Sequence, residues 1–184
     1  IFPSLISGFE VASQLQYPLD TVTFGIKLFF NESELLKIIE SWFDGLAFCP
    51  FNSFEMKKMV KDNVEPGIIA FDENQPVGWI AIQPREKYPR LSNSKILQPI
   101  DDKPVWSIVC FFVHKDYRKM GISVELIKNA CNFAASKGGM IVEAYPTDTR
   151  TKNSAPVFIY TGTLSAFKKA GFKEVARRSE TRPI

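Results

Sequence analysis

Residues 105–145 read VWSIVCFFVHKDYRKMGISVELIKNACNFAASKGGMIVEAY, and their patterns predict the central unit of the fold. Residues 105–113 form an apolar run rich in β-branched and aromatic side chains, which is typical of a strand buried on both faces. Apolar residues at helical spacing follow from about 122 to 137, and a Gly-Gly pair at 138–139 predicts the end of that helix. Residues 140–145 are again apolar apart from one glutamate, so the stretch predicts a strand–turn–helix–strand unit.

The turn between this strand and this helix is a candidate anion site. The first four N–H groups of a helix have no partner within the helix, and the helix dipole places partial positive charge there. Gly121 allows a ligand to approach the backbone closely, and Arg118 and Lys119 add positive charge. A phosphate or pyrophosphate fits such a place. An ordinary turn with basic surface residues is the alternative that spacing alone leaves open.

The segment Arg118-Lys119-Met120-Gly121-Ile122-Ser123 resembles the R-x-x-G-x-G/A motif of the GNAT superfamily of N-acetyltransferases. Similar segments recur from about residue 66 to the C-terminus, and together they resemble a bacterial branch of the superfamily. The resemblance implies acetyl-CoA as co-substrate, without a metal, and a pyrophosphate held by the backbone of residues 118–123. It also implies that backbone N–H groups at a bulge near the end of the fourth strand polarise the thioester carbonyl. The matching residues are Phe111, Phe112 and Val113.

The acid and the base of the transfer are less clearly marked. Phe167 stands where many relatives carry a tyrosine acid, and Ser107 stands where histone-modifying relatives carry a glutamate. Glu143 is the candidate general base, because it interrupts an apolar strand that would desolvate its carboxylate. A structural carboxylate bonded to backbone or to an arginine is the alternative. Tyr160 is a weaker candidate for the general acid, with a packing role as its alternative.

Composition limits the possible classes of protein. The chain has 184 residues, 45% of them hydrophobic and 23% charged, which suits one globular domain. No apolar run approaches the roughly 20 residues that span a bilayer, and the first residues lack a signal-peptide pattern. The three cysteines form no C-x-x-C pair. We therefore expect a cytoplasmic protein that has no membrane partner.

Charge is distributed unevenly along the chain. Residues 1–100 carry 9 basic and 12 acidic side chains, whereas residues 101–184 carry 14 and 8. The half with the proposed phosphate site is therefore the basic half, as a cofactor with several phosphates favours. The basic residues are dispersed rather than clustered with aromatic side chains, so nucleic acid is not the expected partner.

The whole pattern predicts a single domain over residues 1–184 with the order β-α-α-β-β-β-α-β-α-β, a mixed α/β (α+β) class. The last strand of this order is predicted over residues 171–177. The resemblance implies a twisted mixed sheet flanked by helices and splayed between its fourth and fifth strands, here 105–113 and 140–145. Residues 1–65 would shape the acceptor side, and residues 66–184 would form the cofactor-binding core.

The resemblance also implies the activity. We expect an acetyl-CoA-dependent N-acetyltransferase that moves the acetyl group directly to a primary amine of a small molecule or peptide. The alternative is an acyl-CoA-binding protein of the same fold with little or no turnover, which Phe167 and Ser107 favour. The expected assembly is a monomer or a homodimer.

Overall fold

The computed structural model describes residues 24–27, 58–59, 61–62, 64–150 and 159–184, and for residues 24–27 it describes the backbone only. The sequence also predicts a helix through residues 35–42, which lies outside the described residues, and a polar loop over residues 146–156, which is described only up to residue 150. In the second predicted helix, around Met56 and Met59, only a short piece is described, and residues 58, 59 and 61 are helical there.

Five strands and three helices make up the described part of the chain. In chain order they are β1 Phe24–Lys27, β2 Gly67–Asp72, β3 Gln75–Pro84, α1 Pro89–Ser92, β4 Trp106–Val113, α2 Ile122–Ser136, β5 Val142–Ala144 and α3 Leu164–Lys169. Two short 3₁₀ turns, Arg85–Lys87 and Lys115–Tyr117, follow β3 and β4. None of the described helices is long and apolar enough to cross a membrane.

The strands form one mixed sheet in the order β1-β2-β3-β4-β5. The first three pairings are antiparallel, and β5 pairs with β4 in parallel. This parallel pairing needs a crossover connection, which α2 provides. The predicted mixed α/β class is confirmed. The sequence also predicts a hairpin of residues 67–71 and 76–82, and β2 and β3 form it.

The sheet is buried on both faces because its strands alternate apolar side chains between two clusters. In β2, Ile68 contributes to the cluster under α2, and Ile69 contributes to the cluster on the opposite face. The apolar stripe of α2 covers its cluster with Leu126, Ile127 and Ala130, all fully buried. The candidate site is therefore built on a rigid layer.

Two strand predictions need correction. Met140 is 91% exposed, and β5 begins only at Val142, because the chain leaving the glycine turn joins the sheet two residues later than the apolar pattern suggests. Residues 171–177, predicted as the last strand, form no strand. Their end pairs back on the chain terminus, with a bridge between Arg177 and Pro183 and a hydrogen bond from Ile184 N–H to Ala176 O (2.8 Å). These backbone groups therefore find partners locally instead of in the sheet.

Candidate active site

The turn from β4 into α2 is fixed at both ends. His114 N–H donates to Val77 O (2.8 Å), which continues the sheet one residue beyond β4. The Tyr117 hydroxyl donates to Asp72 Oδ2 (2.8 Å) at the end of β2, and this hydrogen bond raises the pKa of the phenol. The helix then begins after Gly121, whose φ of 85° is left-handed, and Lys119 also has a positive φ of 68°. The turn is therefore held in a defined shape by contacts outside itself.

Several backbone donors in this turn have no partner among the described residues. No side chain caps α2, and its first internal acceptor, Gly121 O, receives Val124 N–H (2.9 Å). Among the described residues, none accepts a hydrogen bond from the backbone N–H groups of residues 119–123. A Cβ placed on Gly121 would meet no heavy atom of the described chain within 4 Å, so the described residues leave the space in front of the turn open. Free N–H groups at the positive end of a helix form a site that suits an anion.

Of the predicted cofactor residues, Arg118, Lys119, Met120 and Gly121 lie exposed in this turn. Arg118 Nε donates to Val113 O (3.2 Å), so the side chain also joins the turn to the end of β4. Ile122, the first residue of α2, is buried against the sheet, and it can therefore offer a ligand its backbone rather than its side chain.

The sheet opens between β4 and β5 beside this turn. Their ladder contains only Trp106, Ser107 and Ile108 opposite Val142, Glu143 and Ala144. Beyond Ile108, β4 pairs with β3 alone, so the two parallel strands separate as expected. We call the space between residues 109–113 and residues 145–148 the fork.

The bulge in β4 lies earlier than the resemblance implies. The register between β3 and β4 shifts between Ala81 and Ile82, which face Cys110 and Ile108, so Val109 is the extra residue. Consistent with this shift, Val109 and Cys110 both pack into the same apolar cluster, on the face opposite α2. The position of the bulge at residues 111–113 is therefore corrected to Val109.

Residues 111–113 nevertheless present donors to the fork. Antiparallel pairs alternate between hydrogen-bonded and non-bonded positions, and His114 is bonded to Val77. By this alternation, the backbone N–H of Phe112 points towards β3. The backbone N–H groups of Phe111 and Val113 point the other way, towards the fork. The binding role of this segment stays a prediction, with two backbone donors to support it.

Glu143 lies in a buried polar cluster with three residues, of which one is its near neighbour in sequence and two come from other parts of the chain. Its Oε1 accepts hydrogen bonds from Arg85 Nη1, from the Tyr145 hydroxyl and from Ser107 Oγ (2.8 Å). The side chains of Arg85 and Glu143 are 10% and 11% exposed, so their ion pair is largely desolvated. Glu143 is therefore bonded to an arginine, as the alternative interpretation expects. These hydrogen bonds use only one of its two carboxylate oxygens.

The second oxygen of Glu143, Oε2, has no hydrogen-bond partner in the described part of the chain. Several fully buried polar atoms there also have no partner, but Oε2 is not one of them. Glu143 also lines a cavity of about 650 Å³ beside β5, together with Asp101, Lys103 and Lys173. Burial and the bond to Glu143 raise the pKa of the Tyr145 phenol, so this hydroxyl stays protonated and keeps donating. One oxygen is thus fixed and the other is available.

The two aromatic candidates near α3 differ in their surroundings. Phe167 is 1% exposed and packs edge-on against Phe172, with ring centroids 5.1 Å apart, so it has a core role. Tyr160 is half-buried, and the Arg182 guanidinium lies 5.9 Å from the centre of its ring. In the described residues, no contact joins Tyr160 to the Glu143 cluster, and its role as an acid stays a prediction.

Glu143 is predicted from the sequence as a site residue, whereas the contacts of its neighbours Arg85 and Tyr145 with it are not. Glu143 and Tyr145 are two positions apart in the strand predicted over residues 140–145, and period-two spacing predicts that both side chains lie on one face. That signal could have paired them. Arg85 lies 58 residues from Glu143, and no local pattern connects the two.

A sequence model of the acetyltransferase (GNAT) family matches residues 33–158. The structure of the aminoglycoside N-acetyltransferase AAC(6')-Iy in complex with CoA superposes with a TM-score of 0.57 at 15% identity, covering 85% of this chain and 91% of that chain. The NatC complex bound to Gag peptide and CoA gives 0.56 at 17% identity, over 87% and 94%. Ard1 from Thermoplasma volcanium gives 0.53 at 14% identity, over 83% and 84%. At these identities the likeness is one of fold, and no curated protein sequence matches the chain.

Proposed function

Because the chain belongs to the GNAT family of acetyltransferases, we propose that it transfers an acetyl group from acetyl-CoA directly to a primary amine. The observation that carries this proposal is the turn at residues 119–123, whose backbone N–H groups have no partner among the described residues and open to free space. The diphosphate of CoA is an anion that such donors bind. The co-substrate therefore fits the residues present.

We assign the binding of CoA to two neighbouring places. The turn, residues 118–123, would hold the diphosphate by backbone donors, with Arg118 and Lys119 adding positive charge. The N–H groups of Phe111 and Val113 would bond the acetyl-bearing arm in the fork. A backbone donor aimed at the thioester oxygen also stabilises the charge that develops there during transfer.

Acetyl-CoA supplies the thioester, whose carbonyl carbon forms a bond to the amine nitrogen while its C–S bond breaks. The amine must be uncharged to attack, so its ammonium form first loses a proton. We propose that Glu143 Oε2 takes this proton, directly or through a water molecule. The nitrogen releases a second proton to solvent as the amide forms, and the departing thiolate takes up a proton to leave CoA as a thiol. Tyr160 is the proposed donor of that proton, and it regains one from solvent.

The acceptor is proposed as a small-molecule or peptide amine. Solved structures of the same fold include an aminoglycoside acetyltransferase and a complex bound to a peptide, which supports testing both kinds of amine. A cavity of about 650 Å³ that reaches Glu143 has the size of a small-ligand site.

The test is release of CoA thiol from acetyl-CoA over a panel of primary amines, with the acetylated product identified by mass spectrometry. The proposal predicts thiol release that depends on the amine and matches the amount of product. Thiol release without any acetylated amine would contradict it.

A second candidate function is acyl-CoA binding with little or no turnover. The observation that favours it is Phe167, a buried aromatic without a proton to donate at the position where relatives carry an acid. Tight acetyl-CoA binding by calorimetry, with no thiol release over the same panel, would establish this second function in place of the first.

A further inference from the structure

We propose that Arg85 is a positioning residue for acetyl transfer: it acts through Glu143 and holds this carboxylate and the loop between β3 and β4 in one arrangement. The proposal rests on the proposed function, in which Glu143 takes the proton of the amine. Arg85 is 8% exposed, and its guanidinium contacts three residues in two separate parts of the chain. It donates from Nη1 to Glu143 and to the Tyr145 hydroxyl, and from Nη2 to Leu97 O (2.5 Å).

The shape of these contacts explains why an arginine is required. A guanidinium is rigid and planar, and its N–H donors point in fixed directions. One nitrogen can therefore donate to a carboxylate while the other donates to a carbonyl. A lysine ammonium at the same depth would be a point charge on a flexible stem, and it could not keep both geometries. Within the described residues Arg85 Nε is buried without a partner, so the two Nη atoms alone orient the side chain.

The two carboxylate oxygens of Glu143 have different surroundings in this cluster. Three donors converge on Oε1, from Arg85, Ser107 and Tyr145, and together they fix the plane of the carboxylate. Oε2 is the oxygen without a described partner, on a residue that lines the cavity. Removing the guanidinium would leave Glu143 free to rotate between donors, and the proton acceptor would lose its fixed direction. Misplacement of a reacting group by about 1 Å can cost roughly 10²-fold in rate.

Arg85 also joins the loop of residues 85–105 to the carboxylate. Its own N–H donates to Val105 O (2.9 Å) at the end of this loop, while its side chain holds Leu97 O in the middle. A second arginine, Arg178, holds the same loop from the exposed side through Ile96 O (3.4 Å) and Pro99 O (3.0 Å). Arg178 has no contact with Glu143 among the described residues. A change at Arg178 therefore affects the anchoring of the loop without removing a donor to the carboxylate.

The experiment compares Arg85→Met and Arg85→Lys with the wild type, and kcat is expressed per folded molecule. We expect Arg85→Met to lower kcat about 10²-fold while KM for acetyl-CoA changes less than about twofold. Arg85→Lys keeps the charge near Glu143 and should recover part of the loss. Should Arg85→Met fail to fold, Arg85→Lys carries the test alone, with a smaller expected fall in kcat at unchanged KM.

A double variant tests whether Arg85 acts through Glu143. In a Glu143→Gln background the further change Arg85→Lys should lower kcat by less than about twofold, because the group that it positions is already gone. Arg178→Met and Arg90→Met are the matched controls. The first loosens the loop elsewhere, the second removes an exposed arginine of the same loop, and both should keep kcat within about twofold.

Three outcomes would overturn the proposal. One is an unchanged kcat per folded molecule in both Arg85 variants. Another is a full additional loss in the double variant, which would mean that Arg85 acts independently of Glu143. A wild-type protein without turnover on any amine would refute the proposed function itself, and the positioning role with it.

Discussion

At position 121 the backbone conformation, rather than the space around the residue, requires glycine. Its φ of 85° is unfavourable for other residues by about 1–2 kcal/mol, although a Cβ would meet nothing described within 4 Å. A side chain added there would therefore project into the space that we assign to the diphosphate.

Gly121→Glu should abolish CoA binding while the protein stays folded. The added carboxylate opposes the diphosphate by volume and by like charge, and the backbone strain is small against the stability of a domain. Calorimetry of CoA binding and circular dichroism on one preparation are the measurements. Unchanged affinity in a folded Gly121→Glu protein would refute the phosphate site, and Gly138→Glu, a substitution at another left-handed glycine, is the control.

Glu143 has one oxygen in the cluster and one outside it, so its two roles can be separated by measurement. Glu143→Gln keeps the shape but removes the base, and kcat per folded molecule should fall roughly 10²–10⁴-fold. CoA affinity should hardly change, and higher pH should partly restore the rate because more of the amine is then uncharged. The melting temperature should also fall, since the buried Arg85 loses its anionic partner. A lower melting temperature with an undiminished rate per folded molecule would make Glu143 purely structural.

At the scale of elements, a buried carboxylate fastens the segment of residues 174–184 to the chain beyond β5. Asp148 is 1% exposed; it accepts hydrogen bonds from Arg150 Nη2 (2.8 Å) and Arg177 Nη2 (3.1 Å). Its N–H donates to Thr181 O (2.9 Å), so backbone and side chain hold the same segment. The hydrogen bonds from Arg150, and then that from Arg177, hold the pKa of Asp148 below its ordinary value of 3.8.

This lowered pKa gives a pH dependence of known sign. A carboxyl group with a lower pKa in the folded state stabilises the fold above its ordinary pKa, and this stabilisation is lost as pH falls below that value. Asp148→Asn should therefore lower the melting temperature at about pH 7, and the difference from the wild type should shrink below about pH 4. Asp102→Asn, an exposed change, serves as control. A difference that stays constant over the whole pH range would contradict the role of Asp148.

Across the whole molecule, the elements that depend on consecutive residues were predicted correctly from the sequence. β4 follows from a continuous apolar run and α2 from helical spacing, and both form close to their predicted bounds. The turn at Gly121 was also predicted, because an uncapped helix start and a glycine are both properties of consecutive residues. These elements carry the proposed CoA site.

The remainder depends on contacts that no local pattern contains. The apolar run of β4 is uniform, so nothing in it marks Val109 as the bulge, which the pairing with β3 creates. Arg85 reaches Glu143 only after β3, β4 and β5 have assembled into the sheet. The catalytic side of the site was therefore less predictable than the cofactor side.

A crystal structure of the protein with CoA bound would test the proposed CoA site most directly. It should show diphosphate oxygens within about 2.7–3.2 Å of backbone N–H groups of residues 119–123. The thiol-bearing arm should lie in the fork, bonded to the N–H groups of Phe111 and Val113. If CoA bound elsewhere, such as in the cavity beside β5, and did not contact the turn, the proposed CoA site would be contradicted.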